Sequence, residues 1–85
     1  MNNVTATILL DEVKRDRIYK EKELLRAIDI VQDRMARLAK NVKSGGTFNS
    51  LGELQGLGAE VDRLTGELAL LIKMENQLAE LIDEN

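Results

Sequence analysis

The chain has no cysteine, no histidine, no proline and no tryptophan, and only one tyrosine and one phenylalanine among its 85 residues. Each absence excludes something. Without cysteine no disulfide can staple the fold, which fits a reducing compartment. Without cysteine or histidine the usual ligands of a structural zinc site are missing, so no metal centre is expected. The same two absences remove the commonest general base and the most nucleophilic side chain of enzymes. Asp and Glu are plentiful, but a thin helical chain offers no concave pocket to hold them. The expectation is a protein that is not an enzyme and carries no cofactor. Without proline, nothing in the chain forbids long helices.

Long apolar runs are also lacking. None approaches the ~20 residues that span a bilayer, so no membrane association is expected. The N-terminal Ile8-Leu9-Leu10 is short, no basic residue precedes it, and Asp11 and Glu12 follow at once. It does not read as a secretory signal. The expected location is cytoplasmic.

What is present is 44% hydrophobic and 32% charged residues, rich in Leu, Ala, Glu, Lys and Arg, the composition of long helices. The formal charge of -3 is too small for a nucleic-acid mimic and of the wrong sign for broad nucleic-acid binding. A chain of this length makes one small domain, whose core is marginal without a staple.

Two stretches carry apolar residues at alternating three- and four-residue steps. The first is Leu24, Ile28, Val31, Met35, Leu38 and Val42. The second is Leu54, Leu57, Val61, Leu64, Leu68, Leu71, Leu78 and Ile82. This is the spacing of two packed helices. The one clear break between them is Ser44-Gly-Gly-Thr-Phe-Asn-Ser50. Gly45 suits the left-handed residue that ends a helix. Ser50 and Glu53 have capping-box spacing for the next, and Phe48 is expected to cover the end of the core. The pattern predicts an all-α, coiled-coil-like antiparallel hairpin, with a helix over 11–43, a turn over 44–50 and a helix over 51–83. Residues 1–10, MNNVTATILL, form an N-terminal arm. Its β-branched Val4, Thr5, Thr7 and Ile8 leave both an extended arm and a helix starting near Asn3 or Thr7 open.

Setting Val42 opposite Leu54 brings Met35 to Val61, Ile28 to Leu68, and Leu24 and Leu25 towards Leu71. Further out, Glu75 comes near Glu21 with Arg17 within a turn. That is either a polar layer that sets register or a solvated end. Residues 11–43 carry ten basic and seven acidic side chains; residues 51–85 carry two and eight. The opposite balances favour closure of the hairpin.

The distal half of the second helix has more apolar surface than one seam uses. The candidate partner or oligomer interface is Leu68, Leu71, Ile72, Met74, Leu78, Leu81 and Ile82. Three coverings are open. They are the arm residues Val4, Ile8, Leu9 and Leu10, a second copy making a dimeric four-helix bundle, or a helix from another protein. A possible second interface is the small-residue stripe Gly52, Gly56, Ala59 and Gly66, because an exposed glycine inside a helix costs ~1 kcal/mol relative to alanine. Glycine there is equally compatible with a surface under no selection against it.

The functional expectation is a small interaction module, an adaptor, co-chaperone or inhibitor, phage-encoded inhibitors included. It would be a homodimer whose apolar helix face seats on a partner protein. The alternatives are a nucleic-acid-binding regulator using Lys14, Arg15, Arg17, Lys20 and Lys22, or a structural subunit of a larger assembly. The basic segment alternates in sign and offers only Tyr19 for base stacking. The Lys43-Ser-Gly-Gly-Thr loop lacks the phosphate-binding GxxxxGK[ST] pattern. From Leu24 to Ile82, the Leu spacing and the Ser44-Gly-Gly-Thr47 turn resemble the two-helix co-chaperones that hold needle subunits in type III secretion. The resemblance implies a hairpin that sequesters a helical partner; residues 1–23 have no counterpart in it.

Overall fold

A computed structural model describes residues 3–46 and 51–83. They form two helices, α1 (Asn3–Ser44) and α2 (Leu51–Asp83), which pack against each other as an antiparallel hairpin. At about 1.5 Å per residue, the 42 residues of α1 run the whole 64 Å length of the molecule, which is 15 Å by 14 Å across. The radius of gyration is 19.2 Å, against about 12 Å for a compact chain of this size. This is a slender ribbon of two helices that turns about its long axis, so its two cross-dimensions are nearly equal.

α1 ends where glycine allows it to. Gly45 has φ 73°. Its N–H donates to the Val42 carbonyl at 3.2 Å, and the Gly46 N–H donates to the Asn41 carbonyl at 2.9 Å. This pair of reversed bonds is the Schellman motif, which satisfies carbonyls that the helix end leaves open. The Ser44 hydroxyl adds a third bond to Asn41 O at 3.1 Å. Phe48 and the Ser50 cap expected of α2 lie outside the described residues.

At its other end α1 reaches back to Asn3, so residues 3–10 are helix and continue α1. Tertiary packing overrides the β-branched propensity there. Ala6 is 2% exposed and Val13 7%, and Leu10 is half-buried. The only other described element available to bury them is α2. The start of α1 therefore covers the distal end of the α2 seam.

Three ion pairs set the register. Arg17 meets Glu75, Lys20 meets Glu67 at 2.8 Å, and Arg34 meets Glu53 at 3.1 Å. A crevice lined by Glu23, Arg26, Ala27, Ile30, Leu57, Glu60 and Leu64 agrees with them. α1 is thus displaced by about two turns from the alignment that set Met35 on Val61 and Val42 on Leu54. Met35 and Val42 are exposed instead. The reason lies in the N-terminal half. Extending the stripe of Ile28, Met35 and Val42 backwards at seven-residue steps meets Glu21, Lys14 and Thr7. The stripe of Leu38, Val31 and Leu24 continues through Leu10, with Val13 and Ala6 between. Burying that second set over the full length outweighs burying Met35 and Val42. It also brings Arg17, Lys20 and Arg34 to the seam, where α2 supplies carboxylates.

The α2 seam follows its predicted steps from Leu54 to Ile82. Leu64 is its most buried member, at 2% exposure. Ala6, Val13 and Leu64 are the buried hydrophobic core among the described residues. Replacing Leu64 by Ala is expected to cost ~2–5 kcal/mol, read as a lowered denaturation midpoint. Leu70→Ala, on the exposed side of the same helix, should change stability by no more than about 0.5 kcal/mol. At the turn, Gly45→Ala forces a left-handed side chain and should cost about 1–2 kcal/mol, measured the same way.

Candidate interaction surfaces

The seam holds one polar layer, built from residues that would otherwise be leucines in the heptad pattern. Arg17 stands in the α1 series Leu10, Arg17, Leu24, and Glu75 in the α2 series Leu68, Glu75, Ile82. The Arg17 guanidinium donates through Nε to Glu75 and through Nη1 to Glu21 Oε1, the latter at 2.6 Å. The side chains of Arg17 and Glu75 are 24% and 19% exposed. The three residues read from the sequence as a polar layer therefore converge, with Arg17 at the centre bridging both carboxylates. The hydrogen bonds that Arg17 donates to Glu21 and then to Glu75 raise the guanidinium pKa above its ordinary value. A charge pair in an otherwise apolar seam fixes alignment rather than adding much stability, because slipping the helices by one turn leaves it unpaired.

A second set of charges flanks the seam. Glu53, Glu60 and Glu67 recur every seventh residue on α2, and α1 answers with Arg34 and Lys20. Arg63 bridges Glu60 and Glu67 from within α2, with 2.6 Å to Glu67. The Lys20 hydrogen bond holds the Glu67 carboxyl below its usual range, and Arg63 does the same for Glu60. Glu67 in turn raises Lys20, and Glu60 raises Arg63.

The next two members of that seven-residue series are Met74 and Leu81. The same register that sets Lys20 beside Glu67 sets Val13 level with Met74 and Ala6 level with Leu81. One face of the ribbon therefore changes from an acidic ladder near the turn to an apolar stretch at the distal end. Met74 is 46% exposed, and Leu9, Leu70 and Leu81 are exposed around it.

The opposite face is formed differently. On α1 it carries Ile18, Leu25, Ile28, Met35 and Val42, spaced by sevens or by three and four. Leu25 is 66% exposed and Met35 56%; Ile18 and Val42 are exposed as well, and Ile28 is half-buried. On α2 the same face carries Gly58, Asp62, Thr65, Ala69 and Ile72, short side chains except for the last, with Asp62 the one charge.

The seven candidate interface residues are thus divided by the fold. Leu68, Leu71, Leu78 and Ile82 are half-buried along the seam towards α1. Met74 and Leu81 lie on the first face, and Ile72 lies on the second. Leu25, expected towards Leu71, is instead exposed with Ile18 on a second apolar stripe of α1, which periodicity alone does not separate from the seam. The small-residue stripe, Gly52, Gly56, Ala59 and Gly66, is exposed. A methyl group added at Gly52, Gly56 or Gly66 meets no atom within 4 Å, so the hairpin itself does not require glycine there.

Among the described residues, no group of three or more acidic side chains is placed to hold a metal ion, and no helix is long and apolar enough to cross a membrane. Comparison with protein-family models, with curated proteins and with solved structures found no match. The likeness to type III secretion co-chaperones is therefore one of layout.

The depressed Glu60 and Glu67 carboxyls predict a pH dependence. Their folded pKa values lie below the ordinary 4.5. The stability they contribute is present above pH 4.5 and is lost as pH falls through the lower folded values. Both are substantially exposed, so the effect is small and screened by salt. The melting temperature should hold steady from neutral pH to about 5 and decline below about 4. Glu67→Gln should make that decline shallower, as followed by circular dichroism at low salt.

Proposed function

We propose that this chain is a small non-enzymatic protein-interaction module that acts by occupying a surface, as an adaptor, co-chaperone or inhibitor does. It works as a homodimer and seats an apolar face on a second protein. The observation that supports this reading is the first face of the ribbon. There Leu9, Leu70, Met74 and Leu81 are exposed beyond the acidic ladder. Leu70, Met74 and Leu81 are spaced as one edge of a helix-in-groove contact requires. A partner for this surface has an apolar strip to set against Met74 and Leu81.

The nucleic-acid alternative rests on Lys14, Arg15, Arg17, Lys20 and Lys22. Arg17 and Lys20 are held by carboxylates of their own hairpin, which leaves Lys14, Arg15 and Lys22 for a phosphate backbone. A gel shift of DNA or RNA that fades steeply with salt would favour that alternative.

The decisive experiment is capture of the partner from the source cell, identified by mass spectrometry, with wild-type chain and surface variants. Burying one such apolar side chain is worth ~1.5–3 kcal/mol, or about ten- to a hundredfold in affinity. Met74→Asp with Leu81→Asp should reduce capture by tenfold or more while the chain stays helical. Glu80→Lys, on the outer edge of α2, should leave capture unchanged. Equal capture by the wild-type and Met74/Leu81 chains would refute the reading.

A further inference from the structure

We propose that the second face of the ribbon, the one bearing Ile18, Leu25, Ile28, Met35 and Val42, is the self-association surface of this protein, and that it takes a second copy of the same chain with α1 of one protomer lying on α2 of the other. This deepens the homodimer element of the reading above and assigns it to a different face from the partner contact.

Three observations lead here. The first is area. The hairpin exposes 6379 Å², whereas a folded monomer of 9.5 kDa exposes about 5,000 Å² by the usual size relation. The excess is about 1,300 Å² per chain. A standard protein interface removes about 800 Å² from each partner, so covering one face with a copy brings the chain near the ordinary range.

The second observation is shape. The α1 half of this face is a ridge of large apolar side chains. Leu25 and Met35 are more than half exposed. The α2 half is a lower ledge of Gly58, Asp62, Thr65 and Ala69, with Ile72 at its distal end and Asp62 as its one charge. A two-fold axis along the ribbon sets each ridge on the other protomer's ledge. The contact is isologous and closes, so it makes a dimer and not a filament. The other face lacks this complementarity. Its proximal half is occupied by Glu53, Glu60 and Glu67 in place of an apolar ridge or a ledge of small residues.

The third observation is charge. α1 carries ten basic and seven acidic side chains, and α2 carries two basic and seven acidic. Packing α1 on the partner's α2 places opposite net charges together at every contact of the resulting four-helix bundle. Packing α1 on α1 would bring two cationic helices together. With the turns at one end, neighbouring helices are also antiparallel, as in an up-down bundle.

The test uses the full chain. Sedimentation equilibrium at tens of micromolar should give twice the 9.5 kDa chain mass. Leu25→Glu with Met35→Glu should sediment at the chain mass with its helical circular dichroism retained, because neither side chain belongs to the hairpin seam. Met74→Glu with Leu81→Glu should stay dimeric. A geometric measurement stands independently of these variants. The chain has no cysteine of its own, so Leu25→Cys and Thr65→Cys chains can be mixed and treated with a short thiol cross-linker. Leu25→Cys should join to Thr65→Cys of the other chain in preference to a second Leu25→Cys. The proposal is overturned by a wild-type chain that stays monomeric, by dissociation through the Met74/Leu81 pair instead of the Leu25/Met35 pair, or by preferential joining of Leu25→Cys to itself. Partner capture by the Leu25→Glu, Met35→Glu chain, whose Met74 and Leu81 are intact, separates the two readings: retained capture by that monomer leaves the partner face standing whichever way the self-association test falls.

Discussion

The structure depends on where α1 stops sliding along α2. A two-helix seam of leucines and valines is tolerant of slippage, because one heptad looks much like the next. Arg17 interrupts the α1 seam and Lys20 and Arg34 flank it, and α2 meets them with Glu75, Glu67 and Glu53. Misalignment would leave a charge in partly desolvated surroundings without its partner, a larger penalty than the pair's own net worth. The register in turn decides which apolar residues are consumed by the hairpin and which remain on its surface.

Its consequence is a ribbon with two unlike faces. On one, an acidic ladder gives way to Leu9, Leu70, Met74 and Leu81. On the other, a ridge of α1 apolar residues runs beside small residues of α2. A single seam cannot cover both, and with Ala6, Val13 and Leu64 as the buried core among the described residues the isolated hairpin sits at the low end of what a domain of this size can sustain. Both faces carry apolar surface that the seam leaves over. The glycines of α2 fit that picture. Gly52, Gly56 and Gly66 lower helix stability without serving the hairpin's own packing, so the chain's persistence in a helical state depends on contacts made elsewhere along its length.

The sequence by itself determined the two helices, the break at Gly45 and the α2 seam. Helix formation follows from local periodicity and from the absence of proline, and the turn follows from a glycine that can take positive φ. It also marked Arg17, Glu21 and Glu75 as one cluster. The alignment of the helices was decided by tertiary structure, because two α1 stripes compete for one α2 seam. The stripe through Ile28, Met35 and Val42 is richer locally, while the stripe through Ala6, Leu10, Val13, Leu24 and Val31 is longer and reaches the N-terminus. Local periodicity weighs the first more heavily. The total area buried along a 64 Å contact, with three charge pairs that close in one register, selects the second. That selection also made the N-terminal segment helical and divided the distal apolar residues between two faces, since both depend on what lies opposite and not on the residues' own neighbours in the chain.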